Sequence, residues 1–97
     1  MEISVNELGD RIEVSFSGEI GMLAMKDLKE RLMVLPEKNK NIEINLEHSS
    51  YLDSTGIGLF ITLNRQQAER GKTLKLINVP ENISNILQLS SLRSILE

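Results

Sequence analysis

The sequence predicts an α/β domain, a mixed β-sheet of four to five strands with about three helices packed mainly on one of its faces. Three patterns carry that prediction. Short runs of alternating apolar and polar residues mark strands. Apolar residues three or four apart mark helices. The two kinds of run follow one another along most of the chain, which demands crossover connections.

Ile3 and Val5 alternate with polar neighbours, and Ile12, Val14 and Phe16 do so more regularly with Glu13, Ser15 and Ser17. Gly9-Asp10 supplies turn chemistry between these runs, so a hairpin is expected, its second strand ending at Gly18. From Met22 the spacing becomes helical: Met25, Leu28, Leu32 and Leu35 share a face, and Pro36 helps to stop the helix. Ile42, Ile44 and Leu46 mark the next strand, which is expected to end in the polar stretch His48-Ser49-Ser50. A helix then runs from the Asp53-Ser54 turn to Arg70, with Gly71 as its cap. Lys72 to Ile77 reads as a strand with Leu74 and Leu76 on one face. Pro80 opens a last amphipathic helix through Ile83, Ile86 and Leu87, and residues 93 to 97 are candidates for a short edge strand.

The chain has 97 residues, room for one compact core, so residues 1–97 are expected to form one domain. Apolar residues make up 40% and charged residues 26%, a globular rather than a disordered composition. There is no cysteine, which removes disulfides and thiolate metal sites and fits a cytoplasmic location. Fourteen acidic and eleven basic residues are mixed along the chain, and no basic block could follow a phosphate backbone, so nucleic acid is not an expected partner. No apolar run approaches the roughly 20 residues that cross a bilayer, so a membrane is not expected either. The methionines Met22, Met25 and Met33 suit core gap-filling, with Met22 the one placed to touch a partner.

The turn Asp53-Ser54-Thr55-Gly56 is the candidate working part. It lies where a loop enters a helix, and the N–H groups of a first helical turn favour negative charge. Gly56 and Gly58 keep that turn free of bulk, so another protein could approach Ser54 closely. A phosphate on Ser54 would add about −1.5 to −2 charge beside Asp53 and oppose an interface centred there. Set against this is simple helix capping by Asp53 or Ser54, the common use of such residues.

Catalytic readings are weaker. His48, Asp53 and Ser54 do not make a hydrolase triad, because the G-x-S-x-G elbow and an oriented base are missing. One histidine builds no metal site, and Gly56-Ile57-Gly58 lacks the third glycine of a dinucleotide fingerprint. Neither catalytic residues nor a cofactor or metal is expected.

The segment Asn45-Leu46-Glu47 through Tyr51-Leu52-Asp53-Ser54-Thr55-Gly56-Ile57-Gly58 resembles the signature of STAS domains of the bacterial anti-sigma factor antagonist type. Gly18-Glu19-Ile20, Gly71 with Lys72-Thr73-Leu74-Lys75-Leu76, and Pro80 match that family at corresponding places, so the resemblance covers nearly the whole chain. It implies partner switching: an unphosphorylated antagonist binds an anti-sigma factor, an ATP-binding serine kinase, and phosphorylation releases it until a PP2C-type phosphatase restores the serine. Carried over by position, the phosphorylated serine is Ser54. Partner contacts fall on Ile20, Gly21 and Met22, and on Asp53, Thr55, Gly56 and Ile57. Two departures stand out. Gly21 occupies a position where relatives usually carry aspartate, and the chain reaches Glu97 before the final helix that many relatives have. The same switch acting on a non-sigma target such as a biofilm, secretion or motility regulator, and an unphosphorylated scaffold, are the alternative outputs.

Overall fold

The structure, a computed structural model, describes residues 2–96. Strands β1 (Glu2–Glu7) and β2 (Arg11–Ile20) form the expected hairpin, paired antiparallel from Glu2 opposite Ser17 to Glu7 opposite Ile12, with Leu8 N–H bonded to Arg11 O at 2.8 Å across the turn. A 3-10 turn (Met22–Ala24) leads into α1 (Met25–Leu32), and a second (Leu35–Lys38) into β3 (Asn41–Leu52). Then follow α2 (Ser54–Glu69), β4 (Leu74–Ile77), α3 (Glu81–Leu87) and a last 3-10 segment (Ser91–Ile95). The four strands lie in sequence order, and β2, β3 and β4 are mutually parallel, so the sheet is mixed.

The alternation of the strands decides which face is covered. Ile12, Val14, Phe16, Ile42, Ile44, Leu46, Leu74 and Leu76 point into one buried cluster, while Ser15, Ser17 and Glu47 are exposed. The apolar stripes of the helices cover that cluster: Leu28 and Leu32 from α1, Leu59, Phe60 and Leu63 from α2, Ile83 and Leu87 from α3. Phe60 meets Phe16 of β2 with ring centroids 6.0 Å apart in a tilted arrangement, which ties α2 to the sheet.

Gly71, at φ +70°, ends α2 as expected. Its N–H bonds Ala68 O at 3.0 Å and Lys72 N–H bonds Gln67 O at 2.8 Å, the paired closure of a left-handed helix stop. Gln67 is fully buried at this end, where its amide nitrogen donates to Lys40 O and Thr73 O, both at 2.9 Å.

Four expectations need correction. Strand β2 does not stop at Gly18, which adopts φ +96°, but continues to Ile20. Strand β3 does not end in the polar stretch at His48 but runs on to Leu52, with register shifts against β2 that absorb extra residues. The first helix is shorter than its apolar spacing suggested: α1 ends at Leu32, and Leu35 and Pro36 belong to the separate 3-10 turn. The expected edge strand over 93–97 is instead a 3-10 segment followed by a single parallel bridge from Leu96 to Leu76, and Glu97 lies outside the described residues.

Candidate functional site

The extensions of β2 and β3 carry their ends, Ile20 and Leu52, side by side to the edge of the sheet at which α2 begins. Asp53 leaves β3 in an extended conformation and becomes the N-cap of α2. Its Oδ1 accepts from Thr55 N–H at 2.9 Å, Gly56 N–H at 3.0 Å and the Thr55 hydroxyl. The other oxygen, Oδ2, accepts from Met22 N–H at 3.1 Å, and Asp53 N–H donates to Ile20 O at 3.2 Å. One residue therefore caps the helix and fastens the β2–α1 loop to it. These donors, the Thr55 hydroxyl first and the Gly56 N–H next, hold the Asp53 carboxyl below its usual range.

Capping thus falls to Asp53, and Ser54 is left free of that task. It is exposed at the first position of α2, and its hydroxyl has no hydrogen-bond partner among the described residues. The N–H groups of Thr55 and Gly56, expected to favour added negative charge, are already engaged by the Asp53 carboxylate. A phosphate on Ser54 would meet that carboxylate instead of those two donors.

Close packing accounts for two glycines here. A Cβ on Gly56 would lie 2.5 Å from Leu52 Cδ1 and 2.9 Å from Ile20 O, and a Cβ on Gly21 would lie 2.6 Å from Asp53 Oδ2. Gly58, two residues further along, has nothing within 4 Å of the equivalent point.

The sequence-derived candidates come together, but unequally. Met22 is 72% exposed and Ser54 is exposed. Gly21, Asp53, Thr55 and Ile57 are half-buried, while Ile20 and Gly56 are buried and act by positioning the others. Met25 and Met33 pack partly buried against the core, as gap-fillers do. Next to Met22 an open cleft of about 620 Å³ is lined by Glu19, Gly21, Leu23, Ala24, Asp27, Tyr51 and Asp53. Leu23 and Tyr51 were not among the candidates. Leu23 could have been found as the apolar residue that falls off the Met25, Leu28, Leu32 stripe. His48 is exposed, and its nearest recorded charged partner is Glu47 at 3.8 Å. Among the described residues no group of three or more His, Cys, Asp or Glu could hold a metal ion, and no helix is long and apolar enough to cross a membrane.

With the strand-to-helix turn and its exposed serine in place, the comparison with known families is decisive: residues 3–97 match the family model described as "Mlab, STAS domain". The chain belongs to the STAS-domain family. Among relatives of this STAS domain is the anti-sigma-B factor antagonist of Bacillus subtilis (strain 168), 30% identical over 97 residues, which span all of this chain and 89% of that protein. Similar solved structures include the Bacillus cell fate determinant SpoIIAA in its phosphorylated form (TM-score 0.81, 18% identity, 99% of this chain and 89% of that one). Another is an anti-sigma factor antagonist from Mycobacterium paratuberculosis (TM-score 0.84, 17% identity, 96% and 80%). At these identities the structural likeness establishes the STAS fold, a mixed sheet carrying helices on one face.

Proposed function

We propose that this chain, residues 1–97 acting as one STAS module, is an anti-sigma factor antagonist whose binding is switched by phosphorylation of Ser54. In the unphosphorylated form it binds an anti-sigma factor that is also an ATP-dependent serine kinase, through Met22, Ser54, Thr55 and Ile57 on a frame set by Ile20, Gly21, Asp53 and Gly56. Phosphorylation releases the partner, and a PP2C-type phosphatase reverses the change in the cytoplasm.

The observation that carries this reading is the division of labour in the turn: Asp53 does the capping, so the exposed Ser54 hydroxyl is free to be modified without unravelling α2. The similarity to the Bacillus subtilis antagonist over the full chain supports the same role. Asp53 is committed to the donors of Met22, Thr55 and Gly56, which leaves it poorly placed to act as a base, so the chemistry of phosphoryl transfer belongs to the kinase and this chain is substrate and ligand, not enzyme.

Titration calorimetry against the kinase-type anti-sigma factor of the same genome tests the switch. Ser54→Ala should bind like the unmodified protein, and Ser54→Asp or the phosphorylated chain should bind at least about tenfold more weakly. Equal binding by both variants would remove the charge switch. Peptide mass spectrometry of the protein from its host, with and without the kinase gene, should localise a kinase-dependent phosphate to Ser54.

A further inference from the structure

Met22 and Leu23 stand next to one another on the 3-10 turn after β2, 72% and 102% exposed. Single exposed apolar residues are ordinary, but here two adjoining large ones share a cleft with the half-exposed ring of Tyr51. Their turn is closed by Ala24 N–H to Gly21 O at 3.0 Å and fastened to the α2 cap by Met22 N–H to Asp53 Oδ2 at 3.1 Å. A backbone held in this way need not be ordered on binding, so only the side chains lose freedom there.

The rim of the same cleft is acidic. Glu19, Asp27 and Asp53 line it, and no lysine or arginine is among its lining residues. An anionic lipid surface or a nucleic-acid backbone would be repelled by such a rim, whereas a protein segment with cations beside apolar side chains would complement both parts of it. Ser54 is not itself a lining residue, but it adjoins Asp53 of the rim.

We infer that Met22 and Leu23 form an apolar prong that enters an apolar socket on a protein partner, and that arginine or lysine residues bordering that socket face Glu19, Asp27 and Asp53. This inference rests on the reading of the chain as a partner-binding module and names the chemistry of the partner's surface. The apolar pair supplies the desolvated centre of the contact, and the charges orient it and speed encounter.

The test is an NMR titration of the whole chain with two short synthetic amphipathic peptides, one leucine- and arginine-rich, the other with glutamate in place of each arginine. The arginine peptide should shift the signals of Met22, Leu23 and Tyr51 at concentrations up to roughly 1 mM. The glutamate peptide should bind about tenfold more weakly, and added salt should weaken the first. Leu23→Ser, which alters a side chain outside the core, should keep the fold and abolish these shifts. Absent shifts, shifts centred elsewhere, or equal binding of the two peptides would overturn the inference. Because the titration needs no phosphate, these outcomes are separable from the fate of the switch. If Ser54→Asp leaves anti-sigma factor binding unchanged while the prong still takes the arginine peptide, only the switch is lost. The opposite pair of results removes only the prong.

Discussion

The Asp53 carboxylate occupies the space that a side chain at Gly21 would need, with Oδ2 only 2.6 Å from where a Cβ would stand. Gly21 has an extended backbone that any residue can adopt, so close approach and not conformational freedom explains the glycine. An aspartate at this position could not be added without moving Asp53 away from Met22 N–H. Gly21→Ala should therefore loosen the β2–α1 loop while leaving the core in place. Amide exchange at Met22 should accelerate more than at residues of the central strands, and an unchanged Met22 rate would show that the fastening is not set by this contact.

Acid should act on the same carboxylate. Asp53 is held below its ordinary value of 3.8 by the Thr55 hydroxyl and then by the Gly56 N–H, and Glu7 is held below 4.5 by hydrogen bonds to Lys40 and then Lys38. Both folded-state values are depressed, so the stabilisation is complete above the unfolded values and is lost as pH falls through the folded ones. The urea midpoint of the wild type should exceed that of Asp53→Asn at neutral pH, and the gap should narrow as pH drops below 3.8. A gap independent of pH would mean that the ionised form brings nothing beyond the amide.

Gly56 and Gly58 should respond oppositely to the same substitution. Gly56→Ala forces a methyl against Leu52 and the Ile20 carbonyl and should cost about 1–3 kcal/mol. Gly58→Ala meets open space inside a helix and should stabilise by about 0.5–1 kcal/mol. Urea unfolding of both variants checks the pair. A destabilised Gly58→Ala protein would contradict the open surface described here.

Gln67 is a buried polar clamp at the far end of α2. Replacing it by methionine, of similar size, would leave the carbonyls of Lys40 and Thr73 without the donor that joins them, and should cost about 1–3 kcal/mol in urea unfolding. Loss of less than this would mean that water replaces the amide.

Periodicity in the sequence was sufficient for the α/β order, the hairpin, the buried face of β2, β4 and the first half of β3, and the glycine stop of α2, because Ile12, Val14, Phe16, Ile42, Ile44 and Leu46 repeat with the period of the element they form. The Ser54 turn was legible for a different reason: its residues match a family signature, and the family match holds over residues 3–97.

The upper ends of β2 and β3 were not legible. Between Ser15 and Ser17, the single β2 residue Phe16 faces two β3 residues, Leu46 and Glu47, and between Gly18 and Glu19 the strand passes one more, Ser50. Each such insertion exchanges the faces that alternate residues occupy, so a rule of period two fails where the strand continues. Local pattern left the cap of α2 open between Asp53 and Ser54, and the fastening of Met22 to that cap and the exposure of Leu23 were decided only in the tertiary structure. The fastening of Met22 depends on a contact across 31 residues of chain, to Asp53, which local pattern does not encode. Sequence by itself determined the order of the elements and the place of the Asp53-Ser54 turn, while the meeting of the β2 and β3 ends brought Met22 to Asp53 and set which side chains there are buried and which exposed, because those contacts join residues far apart in the chain.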